Sequence, residues 1–385
     1  MSSLLTSRRR LLAAAPAALL PLGACATTGT ARAPLTAARP PFCLPPVKAA
    51  PERVIREVVG LRPYRKGGFV VRAEALGDKR LVHNYGHGGA GITLSWGTAR
   101  LATELGLQGH QGKVAVLGAG VCGLTTARLA QEAGFEVTVY AKHMPPETTS
   151  NIAGGQWYPA FLYRRDTATP EFMEQFRQAA GYAYRRHQIH AGRDYGVRWM
   201  TNYEISDSPP GPDTYPADDW LRALIPNSRD LAPGQHPFGQ TWVNAWDGMI
   251  IEPPVFLRRL MQDIQIAGGR ILIRDFHSAA EVAALPETLV FNCTGLGARE
   301  LFGDTELRPL RGQLAVLEPQ AEVGYALTAP GGLYMFSRTD GVILGGTHQM
   351  DDWNLEPDPD TTRRIVEGHR ALFAGVCAPS LLKPS

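Results

Sequence analysis

The most legible pattern of apolar and polar positions lies between residues 113 and 140. Lys113 to Val116 opens a short apolar run that ends in Gly118-Ala119-Gly120-Val121-Cys122-Gly123. From Leu124 to Gly134 the apolar positions Leu124, Ala127 and Leu129 share one helix face, and Phe135 to Tyr140 again reads as a strand. Strand, glycine turn, helix and strand in this order predict a parallel βαβ unit. A glycine triplet in that context is a dinucleotide fingerprint: Gly118 for the tight turn, Gly120 for close approach to a pyrophosphate, Gly123 for helix–strand packing. Val121 and Cys122 complete the glycine turn ahead of the helix expected from Leu124, whose positive end faces the pyrophosphate.

The start of the chain carries a different pattern. Ser7-Arg8-Arg9-Arg10-Leu11-Leu12 precedes an uncharged Ala- and Leu-rich run to Ala24, interrupted by Pro16 and Pro21. That run is about half the ~20 residues a membrane-spanning helix needs, so it reads as a secretory signal over residues 1–25. The paired arginines resemble a twin-arginine export signal. Leu22-Gly23-Ala24-Cys25 resembles a bacterial lipobox, which would make Cys25 a lipid anchor and the chain a periplasmic or membrane-anchored lipoprotein. Ordinary cleavage near Ala24-Cys25-Ala26 is the other reading. Residues 26–50, rich in Ala, Thr and Pro, are expected to be an extended tether.

Composition narrows the class. The chain has 385 residues, 44% of them hydrophobic, which is enough for two or three domains and excludes bulk disorder. Basic and acidic residues number 39 and 36, so no nucleic-acid stripe is indicated. Removing residues 1–25 takes away three arginines and no acid, which brings the formal charge from +3 to zero. The small basic excess therefore belongs to targeting. Five cysteines are too few and too scattered for a disulfide scaffold or a Cys-rich zinc module.

The dinucleotide is not fixed by the fingerprint. The place at the end of the second strand, where an acid usually binds ribose hydroxyls, reads Tyr140-Ala141-Lys142-His143. Lys142 suits a 2′-phosphate, which favours NADP, and equally suits the phosphates of a flavin nucleotide. His83 and His87 are four apart, but the glycines between them will not hold a helix and no acid or Cys adjoins them in sequence, so no metal site is expected.

Leu81-Val82-His83-Asn84-Tyr85-Gly86-His87-Gly88-Gly89-Ala90-Gly91-Ile92-Thr93-Leu94-Ser95-Trp96-Gly97-Thr98-Ala99 resembles the signature of the D-amino-acid oxidase family. Thr148-Thr149-Ser150-Asn151-Ile152-Ala153-Gly154-Gly155-Gln156-Trp157 resembles the family loop that closes over the flavin. Glu252 to Gly295, ending in Val290-Phe291-Asn292-Cys293-Thr294-Gly295, resembles the return to the Rossmann sheet. Arg311-Gly312-Gln313, Leu333 to Ser337 and Val342 to Gly346 resemble substrate-domain strands, and Gly60-Leu61-Arg62-Pro63 the segment with the substrate-binding arginine. The resemblance is weakest across 161–245.

The order of these segments differs from the family's. Those that end a family chain precede the Rossmann motif here, which looks like a circular permutation joined through a link around Thr98 to Gly112. New ends would fall near 50 and 385. The resemblance implies an α/β fold: a Rossmann-type FAD-binding domain (62–160 and 248–298) and an α+β substrate domain with a mixed antiparallel sheet (51–61, 161–247 and 299–385).

For the chemistry, the resemblance implies FAD as cofactor and a D-amino acid as substrate. Hydride passes from Cα to flavin N5, and oxygen is the acceptor that yields hydrogen peroxide, with a 2-oxo acid and ammonia. Arg62 would bind the substrate carboxylate, Tyr334 would add a second bond to it, and the Gly89 carbonyl would receive the amine. Gly118, Gly120, Val121, Cys122, Gly123, Lys142, Thr148, Thr149, Ser150, Gly155, Gln156, Thr294, Gly295, Gly88, Gly91, Ile92 and Thr93 would hold the flavin. Tyr158 falls where the family lines its pocket. Two other readings stand: a flavin dehydrogenase with a different acceptor or a homologue without turnover, and an NADP-dependent reductase using Lys142. Cys122 and Cys293 are expected to be buried thiols. Cys43 and Cys377, near the new ends of an exported chain, are candidates for a disulfide.

Overall fold

The computed structural model describes residues 43–209, 218–239 and 242–376. The export signal with Cys25, the tether up to residue 42, and Cys377 lie outside the described residues. In chain order the first elements are β1 (Val54–Tyr64), β2 (Val70–Leu76), β3 (Lys79–Tyr85), α1 (Gly91–Leu107), β4 (Val114–Leu117), α2 (Val121–Glu132) and β5 (Val137–Ala141). Then come α3 (Thr149–Ile152), α4 (Pro170–Ile189), β6 (Val197–Ser206), α5 (Asp219–Arg222), β7 (Arg229–Leu231) and β8 (Trp242–Ile251). The remainder comprises α6 (Pro253–Ile266), β9 (Arg270–Ile273), α7 (Ala279–Ala283), β10 (Leu289–Asn292), α8 (Ala298–Phe302), β11 (Arg308–Leu317), β12 (Tyr325–Ala329), β13 (Leu333–Arg338), β14 (Gly341–Gly345), β15 (Gln349–Met350) and α9 (Pro359–Phe373).

Two sheets organise the described residues. The smaller has the order β2-β3-β10-β4-β5-β9, with only the β2–β3 pair antiparallel. Strands β4, β5 and β10 are buried along their whole length, as expected for parallel strands covered on both faces. The larger runs β1-β11-β14-β13-β12-β6-β8-β7, with β15 beside β11. It is mixed, because β12 and β6 run parallel while its other pairs are antiparallel.

The βαβ unit forms where the hydrophobic pattern places it, but its helix begins at Val121 rather than Leu124. Gly123 lies within the first helical turn, where a Cβ would sit 1.9 Å from the Gly118 carbonyl oxygen. The turn and the helix thus overlap. The segment from Thr98 to Gly112, expected to be a link, is helical as far as Leu107, because α1 carries the apolar face of the signature through Ala102. The expected domain junctions at 61/62 and 247/248 fall inside β1 and β8, and both strands run unbroken through them in the larger sheet. The last part of the expected tether is packed: Val47 and Ala49 are buried with Phe373 and Val376 of the α9 end, and the Tyr325 hydroxyl donates to the Pro45 carbonyl at 2.8 Å. No described helix is long and apolar enough to cross a membrane.

Helices α1, α2, α4 and α6 share one core cluster that includes Leu94, Leu124, Phe176 and Phe256. Pro170 opens α4, and the Thr169 side chain accepts the Phe172 N–H as its cap. Helices α1 and α4 meet at Gly97, where a Cβ would stand 1.9 Å from the Ala179 carbonyl oxygen. Gly97→Ala is therefore expected to force the helices apart and cost about 1–3 kcal/mol, as overpacking does. A lowered urea midpoint at constant m-value checks this.

Candidate active site

Three turns meet at the carboxyl end of the smaller sheet. The turn after β4 reaches α2 through Gly118, whose φ of +103° is open to glycine and whose added Cβ would strike the Cys293 carbonyl oxygen at 2.5 Å. The turn after β3 leads through Gly88 and Gly89 into α1. The turn after β10 carries Thr294 and Gly295, and a Cβ on Gly295 would meet nothing within 4 Å. Neither α1 nor α2 is capped by a side chain of its N-cap residue, Ala90 and Gly120 respectively. Their first turns adjoin, since a Cβ on Gly91 would lie 3.8 Å from Val121 Cγ1. First-turn N–H groups lack intrahelical acceptors and the dipole there is positive. Two such ends side by side fit the anionic and carbonyl groups of a flavin dinucleotide.

The other expected cofactor residues cluster around these ends with partners of their own. Ser150 Oγ accepts the Val121 N–H at 3.0 Å, which ties α3 to the glycine turn. Thr148 donates to Asn151 Oδ1 at 2.8 Å, and Thr149 opens α3. Gly155, with φ +95°, pairs its carbonyl with the Ile251 N–H at 2.8 Å. Gln156 donates to Asn202 Oδ1 at 2.8 Å, and Thr93 donates to the Tyr158 carbonyl at 3.0 Å. Ile92 is buried, and its carbonyl lies 3.1 Å from His187 Nε2. Thr294 donates to Asn292 Oδ1 at 2.7 Å. Lys142 is ion-paired with Asp275 at 2.9 Å, an acid from the end of β9 that is remote in sequence.

The expected substrate residues come together. Arg62 on β1 and Tyr334 on β13 are 272 positions apart, yet Arg62 Nη2 lies 3.3 Å from the Tyr334 hydroxyl. Arg62 Nη1 also reaches the Thr347 carbonyl at 3.5 Å. Gly312 leaves room for the guanidinium, since a Cβ there would stand 2.4 Å from Nη1. Gly345 and Gly346 leave room for the phenol, since Cβ atoms there would lie 2.1 and 2.3 Å from its ring.

Gly89 joins this group through two residues that the sequence reading did not single out. Its N–H donates to the Phe161 carbonyl at 3.3 Å, and the Phe161 ring stands 4.3 Å from that of His348, next to Thr347. An aromatic beside His in a loop carries no sequence signal of its own. Tyr158 is half-buried near Trp246, at a ring separation of 6.3 Å. A surface cleft between α1 and α4, lined by Arg100, Arg177 and Arg185, shares none of these residues.

The two signature histidines find partners that sequence proximity did not offer. His83 Nε2 is 3.0 Å from Glu74, and Asn292 Nδ2 is 3.0 Å from its Nδ1. His87 Nε2 lies 2.8 Å from Thr98 Oγ1, and its Nδ1 is 3.5 Å from Cys122 Sγ. Among the described residues no group of three or more His, Cys, Asp or Glu could hold a metal. Cys293 is buried, whereas Cys122 keeps part of its surface at the start of α2. Both are free thiols whose pKa burial raises.

A family model for FAD dependent oxidoreductases, DAO, matches residues 33–105 and 113–383. A D-amino-acid oxidase of Streptomyces coelicolor is 32% identical over 282 residues, covering 71% of this chain and 81% of that protein. A D-aspartate oxidase of Homo sapiens is 31% identical over 262 residues, covering 66% and 74%. Among solved structures, a glycine oxidase from Bacillus cereus superposes with a TM-score of 0.52 over 69% of this chain and 78% of its own, at 17% identity, a likeness of fold alone.

Burial keeps the site histidines neutral. It lowers the His87 pKa to about 3, and together with the Arg62 charge it lowers that of His348 to about 4. An unfolded histidine titrates near ~6.5, so below that pH the unfolded chain takes up protons that the folded chain excludes. Stability present above ~6.5 is therefore lost as pH falls toward about 4. Buried His87 contributes a slope of up to about 1.4 kcal/mol per pH unit in that window, and the more exposed His348 contributes less. The unfolding midpoint should drop between pH 6.5 and 4.5, and His87→Gln should flatten the drop; thermal melts across that range measure both.

Proposed function

Because the chain belongs to the family of FAD-dependent oxidoreductases, we propose that it oxidises a D-amino acid to the 2-oxo acid, with release of ammonia and hydrogen peroxide. The observation that carries this reading is the Arg62–Tyr334 pair, 3.3 Å apart and joined to the Gly88–Gly89 turn through His348 and Phe161. When bound, FAD supplies the acceptor for the hydride that leaves the substrate Cα. The N-terminal turns of α1 and α2, with Gly118, Gly120, Gly123 and Ser150, are the residues assigned to hold it.

Arg62 is assigned to the substrate carboxylate, which a planar guanidinium grips through two parallel hydrogen bonds. Burial raises the Tyr334 pKa, against the opposing charge of Arg62, so its hydroxyl stays protonated and can donate to the same carboxylate. With His348 neutral, Arg62 supplies the positive charge of this cluster. The Gly89 carbonyl is assigned to the substrate amine. Such clamping fixes Cα relative to the acceptor, and orientation of that kind is the main catalytic lever when no acid–base residue is needed.

The proposal includes a permuted chain order. In support, the family match parts at 106–112, close to the expected junction, and Val47 and Ala49 share a buried cluster with Phe373 and Val376 near the opposite end. It also includes export by the twin-arginine-like segment and a lipid on Cys25, which rest on sequence. Cys43 is disulfide-bonded, which suits an oxidising compartment.

The test is a peroxide assay on flavin-loaded protein with a panel of D- and L-amino acids. Peroxide with D-amino acids and none with L-amino acids is expected. Turnover only with a dye acceptor would point to a dehydrogenase, and no turnover with either would leave a flavin-binding homologue. Arg62→Ala should raise KM for the D-amino acid about 100-fold, the worth of a charge-assisted pair of bonds, with flavin absorbance retained.

A further inference from the structure

The end of β5 presents a chemical problem. A dinucleotide whose pyrophosphate sits at the start of α2 lays its adenosine ribose over the carboxyl end of the neighbouring strand, where a carboxylate accepts the two hydroxyl protons. This chain places Lys142 there, and an ammonium has donors and no acceptor. The sheet supplies an acid by another route. Strand β9 pairs in parallel with β5, Ala141 opposite Ile273, and the Arg274 N–H continues the ladder to the Ala141 carbonyl at 2.9 Å. Lys142 and Asp275 are thereby fixed side by side, with Nζ 2.9 Å from Oδ2. The pair stands at the same sheet edge as the glycine turn, because the Gly118 N–H donates to the Tyr140 carbonyl at 2.7 Å. The Asp275 carboxylate is about one-third exposed, so it has lone pairs free for a ligand.

We propose that Asp275, held in place by Lys142, is the carboxylate that receives the adenosine-ribose hydroxyls of FAD, so that the acid expected at the end of the second strand is delivered by the third. The assignment rests on the FAD reading above and extends it to this chain's own departure from the usual pattern. Lys142 is then a positioning residue, and its charge offsets that of the carboxylate near the pyrophosphate.

Full-chain protein freed of flavin is titrated with FAD by quenching of flavin fluorescence, and bound FAD is then displaced with ADP or 2′,3′-dideoxy-ADP. Asp275→Asn should weaken ADP about ten-fold or more, the range for hydrogen bonds to a charged group, and leave 2′,3′-dideoxy-ADP nearly unchanged. The charge-exchanged double variant Lys142→Asp, Asp275→Lys should recover most of the ADP affinity, since it returns the acid to the end of β5. Equal weakening of both nucleotides, or of neither, would overturn the assignment while leaving FAD binding intact. Tighter binding of 2′,5′-ADP than of ADP by the unaltered protein would also overturn it, by giving Lys142 to a 2′-phosphate. Failure of the unaltered protein to bind FAD at all would overturn the cofactor reading itself, and this assignment with it.

Discussion

Strand β10 is paired on both sides, in parallel, with β3 and with β4. Its register places Asn292 opposite both His83 and Leu117, so β10 and β4 end at the same level and β3 only two residues beyond it. The turns that follow them, carrying Gly88–Gly89, Thr294–Gly295 and Gly118–Gly120, have no choice but to converge. All four residues of β10 are buried, and parallel pairing leaves none of them able to shift register without moving an apolar side chain out of the core. The adjacency of the α1 and α2 N-termini, and with it the cofactor cradle, follows from that one strand.

What the sequence made legible was local. The strand, glycine turn and helix of the βαβ unit are encoded in adjacent residues, and the helix misplacement at Val121 is three residues. The Arg62–Tyr334 pair came only through resemblance, since no periodicity connects a β1 residue to a β13 residue. Features set by distant partners were opaque. Glu74 beside His83, Asp275 beside Lys142, and His348 beside Arg62 are each made by sheet pairing or loop packing. The continuity of β1 and β8 through 61/62 and 247/248 has the same origin: both strands are held by their ladders with β11 and β6, which no composition change announces.

Neutral, buried polar groups form a second theme. His87, His187 and His369 are all buried, and each lies beside a hydroxyl or carbonyl oxygen rather than an acid. Burial of a charge without a partner is costly, so these rings stay uncharged and act as hydrogen-bonding spacers between helices and turns. His87 is the clearest case, because it links the β3 turn to Thr98 in α1 and to Cys122 in α2. Charged groups are instead paired or bonded: Arg62 with the Tyr334 hydroxyl, Lys142 with Asp275 at the sheet edge.

The two sheets must still be aligned to better than an ångström if a clamp on one is to serve a cofactor on the other. Strand β1 provides the link. It carries Arg62 within the larger sheet, and two residues later Tyr64 bridges to His87, the residue that precedes the Gly88–Gly89 turn. A Cβ on Gly88 would lie 3.3 Å from the Tyr64 ring and 2.1 Å from the Phe161 carbonyl oxygen, so the turn is pressed directly against the end of that strand and the loop beside it. A Cβ on Gly60 would touch Ile152 of α3 at 3.0 Å, so the other side of β1 is braced against the segment that ties to Val121. The spacing between the guanidinium and both helix N-termini is therefore set by close contacts on either side of a single strand, from the Phe161 carbonyl and the Tyr64 ring at one end and from Ile152 at the other. Glycine is required wherever those contacts occur, which is why the Arg62–Tyr334 pair and the glycine-rich signature belong to one mechanical unit although they sit on different sheets.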